Sequence, residues 1–288
     1  GTYHVVLTLV TSQETSDRIQ TTTFNLNSAS AIYTAKPFID FAMDPTETTH
    51  QRIITIAADD VLHIKTSTAG HTMGIVKGTS VVITEITSGV FASSTVTTAG
   101  SNNTTDAFNP FNTDGDGPAF AAAGLIASGV TFAGDPGTMT VPSAGKYLIM
   151  INHIFAAGGG TASDIVMLLK EGSNTLLTNT VRLHSTVDPA EHTMCVIEDL
   201  AAAAVLTVSY DIGAGRVQAE VGATFTVIKL QEGAPATGTG RTTGDYGAIG
   251  IYGSTYASVV SNQDSAAGST EVNPFDEDTL TGDATFST

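Results

Sequence analysis

Several stretches of the chain show hydrophobic and polar residues in the two-residue alternation of half-buried β-strands. The clearest are residues 53–65 and 194–210, which are rich in Val, Ile, Leu and Thr. Turn-forming residues separate such stretches: Asp44-Pro45, Asp188-Pro189 and Gly172-Ser173-Asn174. The short alanine runs before two of the strands are flanked by β-branched residues, so we interpret them as loops that enter strands. The pattern predicts an all-β protein.

The second half of the sequence repeats the first at a constant offset that places Gly1 on Gly145. With this offset Tyr3 falls on Tyr147, and Gly78 falls on Gly222. A gap-free match over this length indicates an internal duplication. About seven or eight strands fit into each copy, which predicts two tandem jelly-roll β-sandwiches. We divide the chain into unit one (1–86), a linker (87–134), unit two (135–230) and an extended C-terminal arm (231–288).

Unit two begins with a strand pattern at 138–141 that has no counterpart before Gly1. The last residues of the chain, 282–288, resemble the missing piece. Two explanations remain open: the chain is cut from a longer array, or the tail supplies the first strand of a unit-one sandwich, its own or a neighbour's. An incomplete sandwich has an edge that accepts an added strand.

Unit two resembles the C1q/TNF-like jelly-roll superfamily. The resemblance rests on Thr-Val-Pro-Ser-Ala-Gly-Lys-Tyr at 140–147, the turn at 171–174, the apolar strand at 200–208 and the closing strand at 222–230. It implies a ten-strand type of sandwich that commonly packs as trimers. It also implies a setting on the virion surface of tailed phages or in extracellular bacterial proteins.

The chain departs from this superfamily at the start of the apolar strand. Where the superfamily often has Gly-Asp, unit two has Ala203-Ala204 and unit one has Asp59-Asp60. The resemblance carries over no metal or receptor site.

The linker and the C-terminal arm are dominated by Gly, Ser, Thr, Ala and Asn, yet they contain spaced aromatic residues. The tripeptide Asn109-Pro110-Phe111 of the linker recurs in the arm as Asn273-Pro274-Phe275, and Phe286 follows near the end. Purely flexible linkers rarely contain such aromatics. We therefore expect both segments to be assembly arms that lie on a sandwich or on a neighbouring subunit, with a solvated linker as the alternative.

The charge of the chain excludes two classes of partner. Acidic residues outnumber basic ones 28 to 11, for a formal net charge of −17. Nucleic acids and anionic lipids are bound through Lys and Arg, so neither nucleic acid nor a membrane is expected as a partner. No apolar stretch reaches the length of a membrane span.

One motif suggests a metal. Asn112, Asp114 and Asp116 place oxygen ligands at alternate positions, as in the opening of a calcium loop. The twelfth position is Ala123, so the bidentate carboxylate is missing, and a plain Asp/Gly turn is the favoured interpretation. We expect no cofactor, with calcium as a weak alternative.

No catalytic arrangement is evident in the sequence. The histidines form no zinc-binding pattern, and nothing resembles a nucleophile elbow or a phosphate-binding loop. The single cysteine, Cys195, lies in an apolar run and is predicted to be buried and inert.

These observations favour a non-enzymatic structural protein of a virion: a capsid decoration, spike or fibre component of a tailed phage. The expected partners are other copies, as a homotrimer, and other virion proteins. The first alternative is an extracellular filament or matrix subunit polymerised by strand donation. The second is a carbohydrate-binding adhesin module.

Overall fold

The computed structural model describes residues 1–13, 18–27, 30–39, 46–68, 73–97, 109–112, 125–134, 136–157, 163–183, 190–212, 217–232, 254–258, 263–264 and 279–281. Within these ranges every regular element is a β-strand, in agreement with the all-β prediction. Unit one contains β1 (Thr2–Gln13), β2 (Arg18–Leu26), β3 (Ala31–Ala35), β4 (Phe38–Ile39), β5 (Thr46–Thr55), β6 (Leu62–Thr68), β7 (Met73–Ile75) and β8 (Ser80–Glu85). The linker contributes β9 (Phe91–Thr95), β10 (Ile126–Ser128) and β11 (Thr131–Ala133).

Unit two contains β12 (Thr138–Thr140), β13 (Gly145–Ala157), β14 (Ser163–Glu171), β15 (Asn174–Leu183), β16 (Ala190–Leu200), β17 (Val205–Ile212), β18 (Val217–Ala219) and β19 (Thr224–Glu232). The C-terminal arm contributes β20 (Ser254–Ser258), β21 (Gln263–Asp264) and β22 (Thr279–Thr281). The predicted hairpin turn at 172–173 joins β14 to β15.

Each unit has two antiparallel sheets. In unit one the first sheet has the order β21-β7-β1-β8-β20-β22, and β5 also pairs with β1. The second sheet has the order β3-β2-β4, and β6 also pairs with β2. In unit two the first sheet has the order β10-β9-β19-β13-β16, with β18 also on β13, and the second has the order β11-β12-β17-β14-β15. This is the tandem arrangement of two jelly-roll sandwiches that the sequence predicts.

The duplication is visible in the strand registers. Thr2 pairs with Thr55 in unit one, and the counterpart residues Lys146 and Asp199 pair in unit two. The residue pairs of β1–β8 and those of β13–β19 are related by the same repeat offset. The register of a strand pair decides which side chains face the core. Because the two units share their registers, equivalent positions face the core in both.

Two unusual backbone positions also recur. Asp59 and its counterpart Ala203 both have positive φ angles, of 67° and 61°. Gly78 and its counterpart Gly222 have φ angles of 107° and 98°. The departure from the superfamily at Asp59 and Ala203 therefore places non-glycine residues in the left-handed region, which L-amino acids adopt at a cost.

Alternating side chains build the core. Along β1 the odd positions Val5, Leu7 and Leu9 are fully buried, while the residues between them face outward. The counterpart strand β13 buries Tyr147 and Ile149 in the same way. Most of the buried apolar side chains of both units belong to one continuous hydrophobic cluster, which indicates that the two sandwiches pack against each other.

The linker and the arm occupy equivalent places. Strand β9 of the linker pairs with β19 at the edge of the unit-two sheet, and β10 pairs with β9. Strand β20 of the arm pairs with β8 at the corresponding edge of the unit-one sheet, and β22 pairs with β20. The described strands of both segments are thus hydrogen-bonded into a sandwich.

The place of the first strand differs between the units. In unit two β12 pairs with β17, and the backbone of Val141 exchanges hydrogen bonds with Ala203 and Ala204. Among the described strands of unit one, β6 pairs only with β2. The arm residues 282–288, which one of the two open explanations places at this position, lie outside the described ranges. No helix in the described part of the chain has the length and apolar character needed to cross a membrane.

Candidate assembly interface

Within the described residues, the two units contact each other through strands of both sandwiches. Unit one contributes its edge, formed by β3 and β5. Unit two contributes the outward face of its β9-β19-β13-β16 sheet, on the side opposite its own core. Strand β5 approaches all four of these strands.

A small apolar cluster lies at the middle of this contact. Ile53 of unit one is fully buried against Phe91 and Ile228, with Leu148 packed beside them. Burying an isoleucine side chain contributes about 1.5–3 kcal/mol. The linker strand β9 supplies Phe91, so the linker takes part in joining the units.

In a second part of the contact, the backbone of unit two closely approaches that of unit one. The Tyr33 hydroxyl donates a hydrogen bond to the Gly222 carbonyl oxygen at 3.0 Å. A Cβ atom built on Gly222 would lie 2.6 Å from both the Cα and the Cβ of Ala35. Burial raises the pKa of Tyr33 well above its ordinary value, so the hydroxyl stays a donor. Gly222 is therefore required for close approach as well as for its positive φ.

Buried polar groups complete the interface. The backbone N–H of Thr49 donates to Glu191 Oε1 at 2.9 Å, and His50 Nδ1 lies 3.7 Å from the same oxygen. Burial raises the pKa of Glu191 well above its ordinary value and lowers that of His50 to about 3. The 3.7 Å contact therefore joins a neutral imidazole to a carboxyl group rather than forming an ion pair.

Arg52 adds a further link between unit one and the linker. Its guanidinium donates to the Thr95 hydroxyl on β9, and the residue is buried. Burial lowers the pKa of Arg52, because the charged form loses its hydration. The bond to Thr95 fixes the position of β9 against β5.

Equivalent residues of both units meet in one cleft. The cleft has a volume of about 270 Å³ and is lined by Glu47, Thr49, Glu191, His192 and Thr193. Glu47 and Glu191 are repeat counterparts, and so are Thr49 and Thr193. When a rotation relates two similar units, equivalent residues of the two units lie close together only near the rotation axis. The cleft therefore lies near the axis that relates the two units.

The contact is heterologous, because the two units present different surfaces to each other. The residue of unit two that corresponds to Ile53 is Ile197, but Ile53 contacts Phe91 and Ile228 instead. A heterologous contact leaves one free edge and one free face at the ends of the pair. The unit-two edge and the unit-one sheet face are those two surfaces.

The linker motif Asn109-Pro110-Phe111 docks on unit two. Phe111 is fully buried, and its ring lies 5.5 Å from that of Phe225 between centroids. The Asn109 side-chain amide donates to the carbonyl oxygens of Pro136 and Gly137, and its Oδ1 accepts from the Phe111 N–H. The equivalent residues Asn273, Pro274 and Phe275, and also Phe286, lie outside the described residues.

Replacing Asn109 by alanine is expected to lower the free energy of unfolding by about 1–2 kcal/mol. The change removes the side-chain bonds that hold the motif in its turn and leaves two carbonyl groups without this donor. Urea unfolding of N109A measures the effect. An unchanged midpoint would contradict the docking role of Asn109.

The remaining sequence candidates give no further site. Asn112 is described and follows the docked motif, while Asp114 and Asp116 lie outside the described residues. In the described ranges no group of three or more His, Cys, Asp or Glu side chains is placed to hold a metal ion.

The prediction that Cys195 is buried is wrong, because this residue is exposed. Its side chain points outward from β16, on the face opposite the core residue Met194. Partial burial raises the pKa of its thiol, which disfavours the nucleophilic thiolate form.

No family model matches the chain, and no curated protein is a significant relative. Solved structures do match. The Eiger TNF structure from S. frugiperda is 18% identical, with a TM-score of 0.33, over 52% of this chain and 99% of that chain. The murine APRIL structure is 12% identical, with a TM-score of 0.34, over 49% of this chain and 98% of that chain. This chain is thus similar to TNF-type proteins, each of which spans about half its length.

Sequence reasoning missed the interface between the units. Ile53 and Ile197 are the same residue at the same repeat position, and Glu191 resembles any surface glutamate of a strand. The constant repeat offset was the available signal, since it allows the two copies to be compared position by position once one contact is known.

Proposed function

We propose that this chain is a non-enzymatic structural protein of a virion surface, a capsid decoration, spike or fibre component of a tailed phage, that acts by self-assembly. The observation that supports it most is the heterologous contact between the units, in which an edge packs on a sheet face. Such contacts repeat until a ring closes or a filament forms. The proposed assembly is a homotrimer that docks on other virion proteins.

The experiment that tests this proposal is a mass measurement by light scattering over a dilution series, together with negative-stain microscopy. A discrete closed particle, a trimer in the first instance, supports the proposal. A monomer at every concentration overturns it. Gold-labelled antibody against the chain then tests the setting, since it is expected to decorate tailed particles.

One observation favours the second candidate, a filament subunit polymerised by strand donation. The outer edge of β6, whose counterpart β17 pairs with β12, has no strand on it within the described part of unit one. An unpaired strand edge accepts a strand from another chain. Open filaments in the microscope would favour this candidate over the closed particle.

Deleting residues 270–288 is expected to leave both sandwiches folded but to weaken assembly. The deletion removes β22, which pairs with β20, and the second copy of the Asn-Pro-Phe motif. The measurement is the mass distribution on dilution, with circular dichroism as the control for folding. A truncated chain that assembles as the full chain does would refute the assembly role of the arm.

A further inference from the structure

We infer that the free edge of unit two binds the unit-one sheet face of a second copy of this chain. The edge is formed by Leu177 of β15 and by Thr193, Cys195 and Ile197 of β16. The receiving face is formed by Val6, Val10, Glu47 and Val82. The inference deepens the proposed function, because it names the surfaces through which self-assembly proceeds.

The first observation is an exposed isoleucine whose counterpart is buried. Ile197 is 53% exposed, whereas Ile53 is 0% exposed because unit two covers it. Val61 and Val205 are also exposed, but they are counterparts of each other and are exposed in both units. Among the exposed large apolar side chains of the described residues, Ile197 alone has a counterpart buried between the units.

The second observation concerns the receiving face. Val10 and Val82 of unit one are half-buried, while their counterparts Ile154 and Thr226 are fully buried in unit two. At these two positions the sheet face of unit one is thus more open than that of unit two, whereas the edge of unit one is the edge that unit two covers. The open edge and the open face are the repeat counterparts of the two surfaces that are in contact within the chain.

The third observation is the cleft that both units line. Within the chain, Glu191 accepts the Thr49 N–H at 2.9 Å. The same residue types, Glu47 and Thr193, occupy the counterpart positions and line the same cleft. A second copy docked on the unit-two edge brings its Glu47 to the Thr193 N–H. This repeats the buried contact that already joins the two units.

The partner surface also sets the strength of the contact. The counterpart of Ile228 on the receiving face is Thr84, as the matching registers of β13–β19 and β1–β8 define. Ile197 therefore meets a more polar surface than Ile53 does. The contact between copies buries less apolar area per residue, and we expect it to be reversible on dilution.

The test replaces Ile197 by aspartate and compares it with the matched variant V205D, which places the same charge at an exposed valine of the same unit. A charge at the centre of a docking surface is costly, so I197D is expected to raise the dissociation constant for assembly about tenfold or more. V205D is expected to assemble as the wild type does. Sedimentation velocity measures assembly, and thermal unfolding confirms that both variants fold.

Cys195 provides an independent readout, because it is the only cysteine in the chain. In the assembled wild type its rate of maleimide modification is expected to fall as the protein concentration rises. In I197D the rate is expected to stay constant over the same range.

The outcomes separate the two proposals. A wild type that is monomeric throughout overturns both of them. Wild-type assembly that I197D leaves intact, or that V205D disrupts equally, overturns the docking inference alone. A Cys195 rate that is independent of concentration while the wild type assembles also overturns it.

Discussion

Acidification from pH 7.5 to pH 5.0 is expected to lower the free energy of unfolding by roughly 4–6 kcal/mol. The cause is three buried histidines that stay neutral in the folded protein. Burial lowers the pKa of His4 to about 4, and those of His50 and His153 to about 3. His153 has the Tyr210 hydroxyl as its partner, and His4 has the Gln51 side chain.

The sign follows from proton binding in each state. An unfolded histidine takes up a proton below about pH 6.5, whereas these folded histidines do not until about pH 3–4. The unfolded state binds more protons between these pH values. The contribution of these histidines to the free energy of unfolding is therefore fully present above pH 6.5 and is lost as the pH falls. Each histidine contributes about 2 kcal/mol of this loss by pH 5.0.

Glu191 acts in the opposite direction. Burial raises the pKa of its carboxyl group, so the folded state favours the protonated form more than the unfolded state does. Its unfavourable contribution is therefore present at high pH and decreases as the pH falls towards the ordinary value of a glutamate. This offsets part of the histidine effect and sets the lower end of the expected range.

Denaturant unfolding at pH 7.5 and pH 5.0 measures the effect before most surface carboxylates titrate. The variant H153Q keeps a hydrogen-bonding side chain opposite Tyr210 but removes one titrating group. It is expected to lose about a third to a half less stability than the wild type over this interval. An identical pH dependence in the variant and the wild type would exclude His153 as a source.

The second large effect is expected at Gly222. Changing it to alanine should cost about 3–5 kcal/mol, of which 1–2 kcal/mol arises from the positive φ and the rest from collision with unit one. The new Cβ would lie 2.6 Å from Ala35 Cα and Cβ and 2.9 Å from the Thr34 carbonyl oxygen. Because the first contact is with backbone, no side-chain rotation relieves it.

The chain contains its own control for this change. Gly78 is the repeat counterpart of Gly222 and has a similar φ, but a Cβ there meets only Val10 Cγ2 at an ordinary 3.6 Å. G78A therefore carries the backbone cost without the collision. The difference between the unfolding free energies of the two variants isolates the contact between the units. Equal losses would mean that the units do not pack closely at Gly222.

The sequence predicts the sandwiches well because local and repeated signals agree there. Alternation selects the inward residues of β1 and β13, and the constant offset carries one unit's registers over to the other. Both signals depend on positions close in sequence or related by the duplication, and neither requires knowledge of how the two sandwiches pack.

The features that the sequence did not predict depend on long-range packing. Strand β9, Phe91-Ala92-Ser93-Ser94-Thr95, has the composition of a linker but is buried throughout, since β19 and β10 flank it and unit one covers it. Cys195 has apolar neighbours along the chain but lies on the outward side of an edge strand. In both cases the environment comes from residues distant in sequence.

The position of β20 has a consequence for synthesis on the ribosome. Strand β19 pairs with β9, which has already been made, so unit two completes this edge once residue 232 emerges. Strand β8 pairs with β20, so the first-made unit waits for residues 254–258. Late pairing between distant segments slows folding, and an uncovered strand edge invites association with other nascent chains. The half of the protein that is translated first is the half that finishes folding last.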